Sequence, residues 1–259
     1  MAETISSTIE IPKRFRFDWI PAVLLHPSAA FRKIGAQSRG VWLTPMLVLT
    51  LVTLARVLIA GSIRQQIALS GAPILPPDFQ YYSPEQQAQF MQAMQSTSGP
   101  VFVYVFPTIV ALLGVWIGWL LVGGLLHLVV TLLGGRGETL YAINLVAWAS
   151  LPLALRELVR VGSMLATRQL IQSPGLSGFA PAGPAGETTY FAALLALIDI
   201  FYIWHVLLLV IGVRVGNSLS LAKSVISVVV TTGIVIGLAA LLDYLVGKLG
   251  SLTIIRPFF

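Results

Sequence analysis

The sequence contains no cysteine and very little charge. Without cysteine, the chain has no disulfide, no thiolate nucleophile and no cysteine-ligated metal. Charged residues make up only 10% of the 259 residues, whereas they make up about a quarter of an average soluble domain. Hydrophobic residues make up 56%, and the mean hydropathy is +0.87. A globule of this size would lack the polar side chains to cover its surface, so the composition predicts an integral membrane protein rather than a soluble enzyme or a disordered chain.

Signatures of catalysis and of metal binding are also missing. The three histidines lie far apart at positions 26, 127 and 205, and the sequence has no H-E-x-x-H motif and no acids paired at ligand spacing. It has neither a P-loop nor a Rossmann glycine pattern. We therefore predict that the protein is not an enzyme and that it has no catalytic residues, no cofactor and no metal.

The net charge of +6 has a topological explanation. The 16 lysines and arginines lie mostly beside long apolar runs, which is typical of membrane topology signals rather than of nucleic-acid binding. More of them flank the N-terminal side of the predicted spans (Lys13, Arg14, Arg16, Arg32, Lys33, Arg39, Arg136, Arg214, Lys223) than the other side (Arg64, Arg156, Arg160, Arg168, Lys248, Arg256). Basic residues favour the cytoplasm, so we predict a cytoplasmic N-terminus and, with an odd number of spans, a C-terminus outside.

Five apolar runs are long enough to cross a bilayer, which requires about 20 mostly apolar residues in a helix. The predicted spans are about 41–63, 100–133, 139–164, 189–213 and 221–246. The second run would measure roughly 50 Å as one helix, against a hydrocarbon core of about 30 Å, so we predict that it is tilted or kinked. The predicted fold class is all-α, a compact polytopic bundle of five transmembrane helices.

The predicted membrane domain covers residues 41–250, and a short tail, 251–259, follows it. Residues 1–40 are predicted to be a cytoplasmic N-terminal segment. Within this segment, the stretch from 19 to 35 combines apolar side chains with Arg32 and Lys33 and is too short and too charged to span. It is typical of an amphipathic helix at the membrane interface, although a disordered tail with a chance apolar bias is the alternative.

Asp199 is the most unusual residue because it is a carboxylate inside a predicted span, where a charge is costly and normally has a partner or a function. Arg56, inside the first span, is the candidate partner. Further polar side chains predicted inside the bundle are His127, Asn144, Tyr202 and His205. This set forms either a proton or ion relay or a structural network that fixes helix packing. One acid, one arginine and two scattered histidines do not make a continuous relay, so we favour the structural interpretation.

Glycines at a spacing of four occur in two spans. Gly114 and Gly118, followed by Gly123 and Gly124, lie in the second span, and Gly233 and Gly237 lie in the fifth. Such small-residue faces allow two helices to approach closely. We predict that they pack within the monomer, and the alternative is a seam between the protomers of a homodimer.

Three segments, taken in order, resemble the bacterial branch of the Yip family, the Ypt/Rab-interacting membrane proteins. They are HPSAAFRKI at 26–34 followed by Trp42 and Pro45, GGRGETL at 134–140 leading to ASLPL at 149–153, and residues 204–215 followed by LSLAKS at 219–224. The likeness covers roughly residues 22–245. It implies five spans with a cytoplasmic N-terminus, in agreement with the charge argument.

The resemblance also implies a class of function. Eukaryotic members of the family act in vesicle traffic by associating with Rab-type GTPases and with each other, and some bacterial members accompany ABC-type exporters. We therefore expect a scaffold or accessory subunit of another membrane complex in the bacterial cytoplasmic membrane, with the lipid bilayer, an exporter of ABC type and a second copy of the chain as candidate partners. The alternative is a small transporter or channel that uses Asp199, Arg56, His127 and His205.

Overall fold

The protein folds as a bundle of α-helices. A computed structural model describes residues 15–70, 79–97, 99–181 and 189–252. Within these ranges there is no strand, and the predicted all-α polytopic fold is confirmed. Residues 1–14 of the predicted N-terminal segment and residues 253–259 of the predicted tail lie outside the described residues.

The helices follow one another with short connections on one side of the bundle and longer ones on the other. Their bounds are α1 Trp19–Leu25, α2 Pro27–Gly35, α3 Leu43–Ser70, α4 Pro84–Thr97, α5 Phe106–Leu132, α6 Thr139–Ala149, α7 Leu151–Thr167, α8 Tyr190–Ala196, α9 Ile200–Asn217 and α10 Leu221–Leu252. A π-helical turn, Val101–Val105, leads into α5, and short 3-10 turns lie at Phe79–Tyr81 and Ser177–Phe179.

Five helical segments are long and apolar enough to cross a membrane, as predicted. They are Leu43–Ala68, Val101–Leu132, Thr139–Thr167, Ile200–Asn217 and Leu221–Lys248. The third segment is the central one, because 67% of its most apolar window is buried, against 17–33% for the others. The outer helices expose leucine, isoleucine and valine side chains, which a bilayer would cover.

The third span consists of two helices because its backbone breaks at Ser150. Pro152 has no N–H to donate to the carbonyl one turn earlier, so α6 ends at Ala149 and α7 begins at Leu151. The Ser150 hydroxyl donates to the carbonyl of Val146 at 2.7 Å and occupies one of the backbone acceptors near the break. The break leaves the Ala149 carbonyl available to a side chain of another span.

The predicted fourth span, 189–213, is also interrupted. Helix α8 ends at Ala196, and α9 begins only at Ile200 and continues to Asn217. The Leu176 N–H covers the end of α8 by donating to the carbonyls of Leu195 and Ile198 at 2.9 and 3.0 Å. Gly175, next to Leu176, has a φ of +59°, and a Cβ there would lie only 2.6–2.8 Å from backbone oxygens of the same helix end. Only glycine fits this close approach without strain.

The stretch from 19 to 35 forms two short helices with a bend at His26 and Pro27, and its location at the membrane interface stays a prediction. Pro27 occupies the first turn of α2, where its missing N–H costs nothing. Val23, Phe31 and Ile34 are at most 1% exposed, and α2 packs on α6 and α9. The two helices therefore close one end of the bundle, which we call the α1–α2 end.

Candidate functional site

The five spans line a cavity of about 320 Å³. Helix α5 lines it with one face, formed by Ala111, Gly114, Val115, Gly118, Trp119 and Val122. Helices α3, α6, α7, α9 and α10 supply the remaining walls. In the described part of the chain, α5 packs mainly on α3, α6 and α10, and the cavity lies between α5 and α7.

A cluster of five charged side chains borders this cavity, and Glu157 is at its centre. The Glu157 carboxylate lies 2.5 Å from Nε of Arg56, 3.3 Å from Nε of Arg156 and 3.2 Å from Nη1 of Arg160. Asp199 completes the cluster at 3.8 Å from Arg156 and 3.7 Å from Arg160. We call these five residues the charge cluster. It links the first, third and fourth spans and carries one more positive than negative charge.

The sequence predicts a direct Arg56–Asp199 pair, and this prediction is wrong because the two side chains have different partners. Among the described residues, Arg56 forms its ion pair with Glu157, and the Asp199 carboxylate lies beside the arginines of α7. The two residues therefore belong to one network without meeting. Sequence reasoning identified Arg56 and Asp199 as buried charges but could not determine which helices face each other.

Asp199 lies at the start of a helix and not within one, as the predicted span 189–213 would require. It is the N-cap of α9, and its Oδ1 accepts the N–H of Tyr202 at 2.9 Å. Since α9 extends roughly 27 Å from this cap to Asn217, Asp199 lies near one membrane boundary rather than at mid-bilayer. Helix α3 begins at Leu43, at the opposite end of the bundle from Asp199, and Arg56 is roughly 20 Å along it. The charge cluster therefore extends from the boundary near Asp199 to Arg56, inside the hydrocarbon region.

Three members of the charge cluster come from α7 and are missing from the predicted site. Arg160 shares a helix face with Arg156, four residues before it, and with Glu157, three residues before it. Glu157 is 5% exposed although it is an acid within a predicted span. The signal in the sequence is the R-E-x-x-R pattern at 156–160, which is readily mistaken for the polar end of the third span.

His205 and Asn144 lie in the bundle and hydrogen-bond to backbone. His205 Nδ1 is 2.8 Å from the Ala149 carbonyl that the break in the third span leaves available. Asn144 Oδ1 accepts the Val41 N–H at 2.9 Å, and its amide donates to the Arg39 carbonyl at 3.2 Å. Both side chains therefore tie the third span to a neighbouring segment, which is a structural role.

His127 lies apart from the other predicted polar residues. It is partly buried on α5 and does not line the cavity. Tyr202 and His205 do line the cavity, together with Arg56, Arg156 and Glu157. The described residues include no group of three or more His, Asp or Glu side chains arranged to hold a metal.

Of the predicted glycine faces, only Gly123 among the described residues lies at a close helix crossing: a Cβ there would lie 2.6 Å from the Ile143 side chain and 3.4 Å from the Ile143 backbone. A Cβ added at Gly114, Gly118 or Gly233 would meet no described atom within 4 Å, and at Gly237 it would meet only the Tyr190 hydroxyl, at 3.6 Å. The prediction of tight packing is therefore wrong for Gly114, Gly118 and Gly233. Gly114 and Gly118 line the cavity instead of a helix contact. A seam between two protomers stays a prediction for these glycines.

A close crossing also occurs between α6 and α9, at glycines outside the predicted faces. A Cβ at Gly212 would collide with the Leu145 side chain, and one at Gly216 would collide with the ring of Tyr141. The Tyr141 hydroxyl also donates to the Gly212 carbonyl at 2.7 Å. These glycines let the third and fourth spans approach near the α1–α2 end, below the cavity.

Comparison with known proteins gives one match. A family model described as the Yip1 domain matches residues 22–242, which is nearly the whole chain. No curated protein matches, and no solved structure matches.

Proposed function

The chain belongs to the Yip1 domain family, and from this premise we propose that it is a scaffold or accessory partner of another membrane complex. The family is associated with membrane trafficking and is generally non-enzymatic. The chain is accordingly an integral multi-pass membrane protein of the Yip type. Our proposal adds that it works by association, with an exporter of ABC type as the candidate partner and without chemistry of its own.

The observation that carries this proposal is the way the intramembrane polar groups are used. The carboxylates of the charge cluster lie against arginines, and the buried amide and imidazole bond to backbone. Groups used in this way hold spans together. They do not form a series of proton-exchanging side chains across the bilayer, as a relay requires. The exposed glycines Gly124 and Gly233 allow a helix of another membrane protein to approach the bundle closely.

We further propose that the N-terminus is cytoplasmic and that the membrane is the bacterial cytoplasmic membrane. The excess of Lys and Arg on the N-terminal side supports this orientation. The chain has no cysteine, so single cysteines give clean accessibility data. An impermeant maleimide should label Gln169→Cys in intact cells and should label Ser38→Cys only after lysis, since both native residues are exposed. Labelling of Ser38→Cys in intact cells, with no labelling of Gln169→Cys, would show that the orientation is the reverse of the proposed one.

The partner role is tested by purifying the tagged chain from its own membrane in a detergent-free polymer that keeps neighbouring proteins. We expect a second membrane protein at near-stoichiometric amount, and we expect the assembled form of that protein to decrease when the gene for this chain is deleted. The matched control is an equally expressed, unrelated five-span protein. Purification of the chain with lipid alone, with the same proteins as the control, would contradict the proposal.

The alternative function is a small transporter or channel, and the cavity is the observation that favours it. Two of the residues predicted for such a pathway, Arg56 and His205, line the cavity, and Asp199 adjoins it. Transport would require these side chains to exchange an ion or substrate with both sides of the membrane. A flux that disappears on Asp199→Asn would support this alternative.

A further inference from the structure

The charge cluster combines an unbalanced charge with a position in the membrane. Three arginines face two carboxylates, so one positive charge has no counterpart within the cluster. An uncompensated charge in a medium of low dielectric is costly, and such charges normally have a partner. The free energy of the cluster would therefore fall if a single negative charge entered it.

Arg56 is the arginine with capacity for such an anion. Its Nε lies against Glu157, but its terminal nitrogens make no hydrogen bond or ion pair with any residue that the structure describes. Its side chain is 33% exposed, more than that of Arg156 or Arg160. Because Arg56 lines the cavity, an anion that reaches the cavity can meet this guanidinium. A guanidinium fork is also the protein group best suited to phosphate oxygens.

Part of the cavity wall is suited to hydrocarbon. This apolar wall includes Leu49 of α3, Leu153 of α7, and Val235 and Ile236 of α10. The cavity is not fully enclosed, and Gly114, which lines it on α5, is exposed. A volume of about 320 Å³ is at the lower end of ligand pockets, which are roughly 300–1,000 Å³. It can take a headgroup or part of one acyl chain while the remainder of the molecule stays in the bilayer.

We propose that this cavity binds an anionic phospholipid from the surrounding bilayer, with the phosphate at Arg56 and one acyl chain against the apolar wall. The headgroup has a short route, because the charge cluster extends from Asp199 near the membrane boundary inward to Arg56. A free anion would satisfy the charge but would leave the apolar wall empty. The site is independent of any protein partner, so failure of the scaffold proposal would leave it standing.

The test uses a substitution that fills the cavity without touching the charge cluster. Gly118→Leu places a side chain in the cavity, where a Cβ meets no atom within 4 Å, so the fold should be preserved. Gly124→Leu is the matched control: it lies on the same helix, is exposed, meets no atom within 4 Å and does not line the cavity. Gly114→Leu is a second filling variant if Gly118→Leu does not fold.

Delipidated protein is titrated in micelles with phosphatidylglycerol, phosphatidylcholine or inorganic phosphate, and bound lipid is counted by native mass spectrometry. We expect wild type and Gly124→Leu to bind one phosphatidylglycerol with equal affinity, and Gly118→Leu to bind it at least about tenfold more weakly. Phosphatidylcholine should bind more weakly to wild type than phosphatidylglycerol does. Equal phosphatidylglycerol binding by Gly118→Leu and wild type, equal binding of the two lipids, or thermal stabilisation by inorganic phosphate equal to that by phosphatidylglycerol would each overturn the proposal.

Discussion

Replacement of Glu157 by glutamine should destabilise the protein more than any other single neutralisation in the charge cluster. The change preserves the shape of the side chain and removes the one negative charge that three arginines share, at 2.5 to 3.3 Å. The excess positive charge of the cluster then rises from one to two, and Asp199 is its only remaining acid. Glutamine can still accept a hydrogen bond, so the loss reports the charge rather than the packing.

The expected loss in the free energy of unfolding depends on how deeply the paired side chains are buried. Breaking a fully buried ion pair costs about 3–5 kcal/mol. Glu157 is 5% exposed, but the side chains of its three arginines are 19–33% exposed, so we expect the lower end, about 3 kcal/mol. For Asp199→Asn the expected cost is about 1 kcal/mol or less, because its arginines lie at 3.7 and 3.8 Å and asparagine still caps a helix.

The assay is the free energy of unfolding in mixed micelles, followed by tryptophan fluorescence. The control is Glu138→Gln, because Glu138 is exposed and its side chain makes no capping bond, so its change should stay within about 0.5 kcal/mol. A double-mutant cycle of Arg56→Leu with Glu157→Leu should give a coupling between about 0.5 and 3 kcal/mol. A cost below about 0.5 kcal/mol for Glu157→Gln, or a larger cost for Asp199→Asn, would refute the assigned pairing.

Three further substitutions, one of them a control, test a buried hydrogen bond and the α6–α9 crossing by the same unfolding measurement. Asn144→Leu should cost about 1–3 kcal/mol because it leaves the buried Val41 N–H without its acceptor, and an unchanged stability would mean that this bond is not formed. Gly212→Ala should cost about 1–3 kcal/mol through collision with Leu145, whereas Gly233→Ala meets open space and should be neutral or stabilising by up to about 1 kcal/mol. Equal effects at the two glycines would contradict the assigned crossing.

The five spans could be predicted from the sequence because long apolar runs have few alternatives to a membrane-spanning helix. The first, second and fifth predicted spans correspond to single helical segments. The bend at Ser150 could be expected from Pro152, which cannot donate to the preceding turn. The break before α9 was harder to foresee, since Asp199 interrupts an apolar run but also makes a good N-cap.

The partners in the candidate site could not be predicted in the same way. Whether Arg56 meets Asp199 or Glu157 depends on which helix lies beside α3, and hydropathy along the chain contains no such information. The glycines illustrate the same limit. A small residue is compatible with a close crossing, as at Gly212, and equally with the wall of a cavity, as at Gly118. Only the arrangement of helices distinguishes the two.

The central claim is that the intramembrane charges hold the spans together and that the protein acts by association rather than by transport. Its most direct test is flux in proteoliposomes that contain wild type or Asp199→Asn, with imposed gradients of protons, sodium, potassium, chloride and phosphate. Asp199→Asn keeps the N-cap of α9 and removes only the charge. We predict that both proteins give the same flux as empty liposomes under every gradient. A flux that wild type supports and Asp199→Asn abolishes would contradict the claim.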